Sequence, residues 1–340
     1  MRHAGGKDWE IAGGAVALCW LGLALGAAFA VPAHADAPAE SALPPASQDF
    51  TETTKGHGAM SVSFQDTLVT GFKLDNSTTD NTFGRDRLRA VQLDLDYFIA
   101  DKWSVHIGIP FGSNKYNGAE PHCPTTAPPQ CAGQPVLSPQ HPESRFLDNG
   151  KYHGTWQDWI LGVSWHTNVG SYYLTPSFTA YIPSHDYTHF AQAAVGQDIW
   201  RIEPSIELAH QFDFSNVYYR VRYGYSYTEA TVHKRVNHHR LDLELGYFIN
   251  EKLSVRTFSI AKKGQGYTAF ELAPLTDGFT NDLWFHHDQI SVHNYAAAGL
   301  GADYRIGNRY ILSASVQKLI WGQTIFDFKY STEVRLTRAF

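Results

Sequence analysis

The sequence predicts an all-β protein: a transmembrane, antiparallel up-and-down β-barrel of about 12 strands, with both chain ends on the periplasmic side. Three observations lead to this fold class. Apolar and polar residues alternate with a period of two, short and long connections alternate between the strands, and aromatic residues concentrate near the strand ends. Strands that face lipid on one side and a lumen on the other have these features.

The composition agrees with this fold and excludes several other classes. Aromatic residues make up 14% of the 340 residues and charged residues only 18%, below the roughly 25% of an average globular protein. The net charge of −6 argues against a nucleic-acid partner. A mean hydropathy below zero excludes a bundle of membrane helices. A closed β-barrel is the remaining way to satisfy every backbone hydrogen bond in lipid.

Residues 1–35 have the pattern of a cleaved signal peptide. Basic residues precede an apolar stretch from Ile11 to Ala30, and Ala33-His34-Ala35 offers small residues where a signal peptidase requires them. A retained anchor helix is the alternative. Residues 36–57, rich in Ala, Pro, Ser and Thr, are expected to form a flexible leader, and residues 58–340 the outer-membrane barrel.

One hairpin illustrates the alternation on which the strand assignment depends. Leu93 and Leu95 lie on one face of its first strand and Asp94 on the other, and the pattern resumes after a short turn with Trp103 and Val105. The same pattern predicts strands over residues 58–73, 87–99, 103–112, 154–167, 171–182, 199–212, 217–228, 239–249, 253–262, 290–306, 310–320 and 326–340.

The connections between these strands alternate in length. Five are short, near residues 100–102, 168–170, 213–216, 250–252 and 307–309. The other six are mostly longer: residues 74–86, 113–153, 183–198, 229–238, 263–289 and 321–325. Short periplasmic turns and long extracellular loops produce this alternation. Aromatic residues near both ends, among them Trp103, Trp165, Trp156 and Tyr181, predict two interfacial girdles.

The polar alternates of the strands predict a lumen that carries charges of both signs. Antiparallel register across two short turns places Glu207 opposite Arg222 and Asp96 opposite His106. Such pairs either line a permeation path or brace a narrow barrel, because charges removed from water need partners. The predicted lumen-lining residues are Asp94, Asp96, His106, Asp158, Arg201, Glu203, Glu207, Arg220, Arg222, Asp242, Glu244, Asp303 and Arg305.

Cys123 and Cys131 lie in the longest loop and are expected to form a disulfide, since an exported protein reaches an oxidising compartment. The chain has 17 histidines, and several fall in two of the outer loops. These are His233, His238 and His239 in or beside one loop, and His286 and His287, followed by Asp288, in the other. Because no HExxH or paired CxxC motif is present, surface histidines on polar loops are the favoured interpretation and a metal site is the alternative. The sequence predicts no cofactor.

The last strand is amphipathic and ends in Phe340. Its apolar residues are expected to share one face: Phe326, Phe328, Tyr330, Val334, Leu336 and Phe340. This resembles the terminal signature by which bacterial outer-membrane proteins are recognised for assembly. The barrel-assembly machinery and outer-membrane lipid are therefore expected partners.

Three segments resemble a known family. Gly154-Thr155-Trp156-Gln157-Asp158-Trp159-Ile160-Leu161-Gly162 resembles the G-x-G-D-x-x-x-G stretch of the porin-like family named for the MetA pathway of phenol degradation. The segments 181–187 and 194–198 are similar to its P-T-G-D-Y and G-x-G segments. The resemblance covers residues 150–340 and, more weakly, 58–112. The chain departs from the family pattern at Trp156 and at Ser184-His185. The resemblance implies an outer-membrane barrel that takes up aromatic or other hydrophobic compounds.

The sequence therefore favours a porin-like channel for the passive uptake of small solutes, and the hydrophobic or aromatic character of the solute comes from the resemblance alone. A structural or adhesive barrel without transport is the main alternative. A lipid-modifying enzyme of the outer membrane would need Ser and His on adjacent outward faces. No His-x-Ser pair with a partner hydroxyl is found there, so no enzymatic activity is expected.

Overall fold

The computed structural model describes residues 54–125, 128–134, 136–266 and 281–340. The predicted signal peptide, residues 1–35, and most of the predicted leader, residues 36–57, lie outside the described residues. Part of the predicted loop 263–289 does so as well.

The described residues form a closed, antiparallel β-barrel with twelve wall strands, which confirms the predicted fold class. Each wall strand pairs with its neighbours along the chain, and the first pairs with the last from Ala59 opposite Ala339 to Lys73 opposite Ile325. The strands are β1 (Gly58–Lys73), β2 (Thr79–Asp80), β3 (Arg85–Ala100), β4 (Trp103–Asn114), β5 (Tyr116–Asn117), β6 (His153–Trp156), β7 (Trp159–Trp165), β8 (Thr167–Val169), β9 (Tyr172–Ile182), β10 (Arg201–Gln211), β11 (Val217–Thr228), β12 (Val236–Phe248), β13 (Leu253–Gly266), β14 (Asn294–Ile306), β15 (Tyr310–Gln323) and β16 (Ile325–Ala339). The short strands β2 and β5 are additions at one end, and β6, β7 and β8 together make one wall strand.

In the part of the chain that the structure describes, helical structure is limited to three short pieces between strands. A 3-10 helix covers Pro129–Cys131, α1 covers Asn281–Phe285 and α2 covers His287–Ile290. Among the described residues, no helix has the length and apolar character needed to cross a membrane.

The barrel exposes apolar side chains and buries polar ones, the reverse of a water-soluble domain. On β1, Met60 and Phe64 are 55% and 48% exposed, whereas Ser63 and Gln65 between and beside them are buried. The wall strands carry such apolar residues outward around the whole barrel. An apolar outer band is what a barrel needs to face hydrocarbon.

Aromatic residues border this band at both ends, as predicted. Trp103 and Trp165 lie opposite each other at the end with the short turns, with their ring centroids 6.5 Å apart. Phe111 and Trp156 meet edge to face at the other end, with centroids 5.3 Å apart. Amphipathic rings at these positions suit the polar boundary of a bilayer.

Tyr181 is an exception, and its assignment to the girdle is wrong. Its neighbours Phe178 and Ile182 point outward on β9, and the two-residue period leaves Tyr181 pointing inward. The Tyr181 ring is buried, and the guanidinium carbon of Arg201 lies 3.8 Å from its centroid. The pair therefore belongs to the barrel interior.

Both ends of the barrel sequence lie at the end that carries the short turns. The backbone N–H of Gly58 donates to the carbonyl of Phe340 and that of Phe340 to the carbonyl of Gly58, while β1 starts opposite Tyr97 near the first turn. The long connections lie at the other end, which is called the loop end below.

Two predicted strands are interrupted or shortened. Phe111 pairs with Trp156 and Gly108 pairs with Ile160. The segment from Trp156 to Ile160 is one residue longer than the β4 segment that it faces, so a β-bulge forms at Gln157 and Asp158. The strand predicted over 290–306 begins only at Asn294, because α1 and α2 occupy the residues before it.

A second bulge reverses the expected orientation of the last strand. Tyr330 pairs with Leu68, but Phe328 pairs with Val69, so β16 contains an extra residue there. An inserted residue exchanges the inward and outward faces beyond it. Val334 and Leu336 point outward as predicted, but the expectation for Phe326 and Phe328 is wrong, because Phe328 is buried inside the barrel and Phe326 packs beside it.

Small residues on the inner wall make room for large neighbours. Gly246 lies opposite Tyr218 in the β11–β12 pair, and a Cβ at Gly246 would overlap the Tyr218 ring. Gly299 is likewise covered by the ring of Phe258. Large side chains can therefore lie flat across the adjacent strand, which fills the narrow interior without widening the barrel.

Candidate functional site

One wall of the interior carries two tiers of alternating charges. The tier nearer the short turns spans β10 to β14. In it, Arg220 Nη2 lies 2.9 Å from Glu207 Oε2 and Arg220 Nη1 lies 3.7 Å from Glu244 Oε1. Arg256 then joins Glu244, at 3.4 Å, to Asp303. Each arginine thereby lies between two carboxylates. The ion pairs compensate for the loss of hydration around the guanidinium and the carboxylate groups.

The second tier lies nearer the loop end. Arg222 Nη2 lies 2.5 Å from Glu203 Oε1, and Arg222 Nη1 lies 3.4 Å from Asp242 Oδ2. Arg240 Nε donates to both oxygens of Asp242, at 2.9 and 3.0 Å. The hydroxyl of Ser226 donates to Glu203, whose side chain is fully buried. The tier is electrically balanced.

The register of this wall agrees with the prediction, but the expected ion pair differs. Glu207 does lie opposite Arg222 in the β10–β11 pair. Their charged groups nevertheless form ion pairs with diagonal neighbours: Glu207 pairs with Arg220, and Arg222 pairs with Glu203. Diagonal neighbours lie within reach of long side chains on a sheet.

The facing wall carries a smaller acidic group around one histidine. His106 Nδ1 lies 2.9 Å from Asp96 Oδ1, and its Nε2 lies 3.7 Å from Asp94 Oδ1. Asp94 also accepts hydrogen bonds from Gln92 Nε2, at 2.5 Å, and Ser61 Oγ, at 3.1 Å. The predicted opposition of Asp96 and His106 is present in the β3–β4 register.

The remaining predicted lumen residues lie near the two ends. Asp158 is in the bulge at the loop end, where it accepts a 2.6 Å hydrogen bond from the Tyr187 hydroxyl. Arg201 is stacked on Tyr181 at the same end. Arg305 lies near the end of β14, one residue before that strand ends at its short turn. The predicted set therefore divides into a central network and residues near the two ends of the barrel.

Sequence reasoning missed several inward charges. They are Arg240, Arg256 and Lys262, all on inward positions of β12 and β13. The signal was present for Arg240, which precedes Asp242 by two residues and so shares its face. The same parity argument applied to β13 would have found the other two.

An apolar cluster occupies the interior near the loop end. The aromatic rings of Phe83, Phe326 and Phe72 are mutually 5.2 to 6.2 Å apart, and Tyr116 and Phe328 extend the group. The buried members of this inner apolar cluster are Val69, Phe83, Tyr116, Ala193, Ile260, Tyr295, Ala297, Leu319, Ile325 and Phe328. The inner apolar cluster therefore lies on the loop side of the charged region.

The long connections fold into the mouth of the barrel at the loop end. We call them the cover, and its three parts are the described residues of 115–152, 183–200 and 281–293. Asn114 Nδ2, on the inner wall, donates to the carbonyls of Gln192 and Ala194. Val292 packs where a Cβ of the inward Gly264 would lie. The cover therefore sits inside the rim and contacts the wall.

Asp148 joins the first two parts of the cover. Its carboxylate accepts backbone hydrogen bonds from His122 at 2.7 Å, Ala193 at 2.8 Å and Gln192 at 3.0 Å. Burial nevertheless raises the pKa of Asp148 to about 6, because loss of water outweighs these three hydrogen bonds. Two side-chain amides join the second and third parts of the cover. Gln197 Nε2 donates to the Asp288 carbonyl, and Gln289 Nε2 donates to the Gln197 carbonyl.

Aromatic and histidine rings fill the space between the parts of the cover. Phe190, Phe285 and Leu137 form a small buried cluster with Trp284 beside it. His189 lies in this apolar surrounding, and burial lowers its pKa to about 3. The histidine is therefore neutral under ordinary conditions.

The structure joins Cys123 and Cys131 by a disulfide, with their Cα atoms 5.9 Å apart. Both residues are buried within the first part of the cover.

Near the loop-end rim, burial and the neighbouring carboxylates of Asp186 and Asp158 raise the pKa of Asp198 to about 7. The pKa of this carboxyl group of the cover therefore lies near neutrality.

Comparison with solved structures finds barrels of the same kind. The crystal structure of an outer-membrane channel from Pseudomonas putida F1 superposes with a TM-score of 0.61 at 11% identity, covering 89% of this chain and 99% of that one. At this identity the likeness establishes the fold alone. The barrel is therefore similar in fold to a channel protein.

Other solved barrels align less well. The NanC porin gives a TM-score of 0.44 at 10% identity, covering 83% of this chain and 98% of that one. The toluene transporter TodX of Pseudomonas putida gives 0.38 at 9% identity, covering 83% and 88%. No family model and no curated protein matches the sequence, so the resemblance to the MetA-pathway family stays a prediction.

Proposed function

We propose that this protein is an outer-membrane channel for the passive uptake of small hydrophobic or aromatic solutes. The observation that carries the proposal is the inner apolar cluster, a group of aromatic side chains placed inside a membrane-type barrel at its loop end. Contact with lipid does not explain these side chains, because they point into the barrel and not towards the membrane. An apolar, partly aromatic lining suits a small apolar solute.

The proposed path runs from the cover past the inner apolar cluster to the charged region. A solute displaces the cover, contacts rings such as Phe326 and Phe83, and then meets the tiers of Arg220 and Arg222. Because the tiers have nearly balanced charge, the field along the path favours neither cations nor anions strongly. The protein supplies only a route, so net transport follows the concentration gradient.

The proposed setting follows from the outer surface. The apolar band contacts outer-membrane lipid, the short turns and both ends of the barrel sequence face the periplasm, and the loop end faces outward. Phe340 is exposed at the end of β16 and lies near the Tyr97 ring, with centroids 6.4 Å apart. We assign this last strand to recognition by the barrel-assembly machinery.

The test measures solute entry through a membrane that contains lipopolysaccharide, since hydrophobic solutes cross ordinary lipid unaided. Cells that produce the protein should take up a radiolabelled monoaromatic hydrocarbon faster than cells that lack it. The Phe328→Ala variant should lose most of this gain, because it removes a ring from the inner apolar cluster. Phe178→Ala, which removes an outward ring, is the matched control and should keep the gain.

Planar bilayers provide the second measurement. The purified protein should give small, weakly ion-selective conductance steps, and charge reversal at Glu207 should change that selectivity because Glu207 belongs to the tier. Equal uptake with and without the protein, together with a silent bilayer, would exclude the channel. The structural or adhesive barrel would then be the better interpretation of the cross-braced interior.

A further inference from the structure

Two histidines and a carboxylate from different parts of the cover converge on one point. His122 Nε2 lies 3.0 Å from His287 Nε2. Asp288 places one carboxylate oxygen 3.1 Å from His287 Nε2 and the other 3.8 Å from His122 Nε2. Ligands held about 2.0–2.1 Å from a tetrahedral zinc ion lie roughly 3.3 Å from one another. The two shorter separations are close to that value, and one ligand atom from each of the three residues lies within 4.8 Å of the others.

The hydrogen bonds of the outer ring nitrogens prepare both imidazoles as ligands. His287 Nδ1 lies 2.7 Å from the Trp284 carbonyl, which can only accept, so Nδ1 carries the proton and Nε2 presents its lone pair. His122 Nδ1 lies 3.7 Å from Asp148 Oδ2 and has no hydrogen-bond partner among the described residues. A bound ion at His122 Nε2 would put the proton on Nδ1, facing that carboxylate. Carboxylates and carbonyls orient metal-binding histidines in this way.

A hydrogen bond between the two histidines is the competing interpretation. In it, His122 Nε2–H donates to His287 Nε2, and the lone pair of His122 Nδ1 is left facing the Asp148 carboxylate. That arrangement leaves a buried acceptor unsatisfied beside another acceptor, which is unfavourable. An ion between the two Nε2 atoms removes this conflict.

The surroundings hold the three groups in place. The indole of Trp284 stacks on both imidazoles, at 5.5 Å from His122 and 4.5 Å from His287, with interplanar angles of 2° and 6°. The disulfide at Cys123 fixes the chain directly after His122. Asp148 also binds the backbone N–H of His122. A preorganised set of this kind loses little freedom when an ion binds.

We propose that His122, His287 and Asp288 form a binding site for zinc or a similar late first-row divalent ion. Two imidazoles and one carboxylate favour such ions over calcium and magnesium, which prefer oxygen ligands. Three protein ligands leave the fourth tetrahedral position to water. His122 belongs to the first part of the cover and His287 to the third, so the ion crosslinks two loops. Asp148 acts as a positioning residue.

Zinc binding is measured on the full mature chain, without a histidine tag, in detergent after treatment with a chelator. One zinc ion per chain should bind, and cobalt should compete for the site while calcium should not. His122→Gln and His287→Gln should each weaken zinc binding at least about tenfold, since even outer-shell partners account for 10–100-fold. His286→Gln, which removes the adjacent histidine in the same segment, is the matched control and should bind zinc like the wild type.

Asp288→Asn keeps the size of the side chain and serves as a second variant if a histidine substitution prevents folding, which the heat-dependent migration of the barrel reveals. It should also weaken zinc binding. Less than one zinc per wild-type chain, or unchanged affinity in a folded His122→Gln or Asp288→Asn variant, would overturn the site and leave the histidine hydrogen bond.

The consequence for the cover rests on the proposed channel, whereas zinc binding in detergent does not. Zinc should lengthen the closed intervals of the wild-type conductance and should not affect His287→Gln. A protein that binds zinc but neither conducts nor speeds solute uptake would refute the channel and keep the site. A protein that conducts but does not bind zinc would keep the channel and refute the site.

Discussion

The inward charges illustrate how single residues of this barrel depend on their neighbours. Arg220 is nearly fully buried and is placed between Glu207 and Glu244, whereas Arg89 pairs with Asp66 at an exposed position. A buried charge that loses its partner keeps its desolvation cost, while an exposed one is rehydrated. The two arginines should therefore differ strongly in importance.

The first prediction compares these two arginines. Arg220→Met should lower the free energy of unfolding by about 3–5 kcal/mol, because it removes the cation that lies between the buried Glu244 and the partly buried Glu207. Arg89→Met should lower it by less than about 1 kcal/mol. Urea unfolding in lipid vesicles, followed by tryptophan fluorescence, measures both. Equal effects would mean that the interior is filled with water and that the tier contributes little.

The second prediction concerns the pH dependence of the cover. Since the pKa of Asp198 is raised to about 7 in the folded cover, the folded state holds this proton more tightly than the open state. The protonated Asp198 therefore stabilises the closed cover. This contribution is complete at a pH below the ordinary pKa of a carboxyl group and is lost as the pH rises through about 7. Lowering the pH from about 8 to 6.5 should stabilise the cover.

Hydrogen exchange of residues 187–199 measures this effect. Exchange should slow between about pH 8 and 6.5 after correction for the intrinsic rate, and Asp198→Asn should remove most of the slowing. Asp213→Asn, an exposed substitution in a short turn at the other end, should leave it intact. The window stops at 6.5 because burial lowers the pKa of His122 and His189, so their protonation favours opening at lower pH.

At the scale of elements, the strands follow the alternation closely and the departures occur at bulges. The predicted limits of β1, 58–73, and β11, 217–228, agree with the structure. The sequence gives no simple sign of the extra residue near Phe328 or at Gln157, because a bulge is defined by the partner strand as much as by its own residues. Each bulge redirects side chains into the interior, where they form the apolar cluster or contact the cover.

The third prediction concerns the disulfide in the cover. Closing a loop of this length stabilises the folded segment by about 2–3 kcal/mol in the chain-entropy account. Cys123→Ser combined with Cys131→Ser should therefore increase protease cleavage within the cover while the barrel stays folded. The unreduced mature protein should show no free thiol, since Cys19 leaves with the predicted signal peptide. A labelled thiol before reduction would contradict the bridge.

At the scale of the whole molecule, closure of the barrel determines which residues face lipid, lumen and loop end. The pairing of β1 with β16 leaves no free edge among the wall strands and brings the two ends of the barrel sequence together. The long connections then gather at one mouth, although they are far apart along the chain.

The fourth prediction tests the orientation in the membrane. A cysteine introduced at Glu143, whose side chain is 57% exposed in the cover, should react with a membrane-impermeant maleimide on whole cells. A cysteine introduced at Glu251, in a short turn, should react only after the outer membrane is opened. Reversed labelling would place the short turns on the outside and would refute the proposed orientation.

The sequence by itself determined the barrel class, most strand limits and the inward position of residues such as Glu203 and Asp242, because a two-residue period records which face meets lipid. It also paired the two loop cysteines. It could not determine the diagonal ion pairs, the inward turn of Phe328, or the meeting of His122 with His287. Those depend on register, bulges and the folding of distant loops into one mouth, and only the closed tertiary structure decides them.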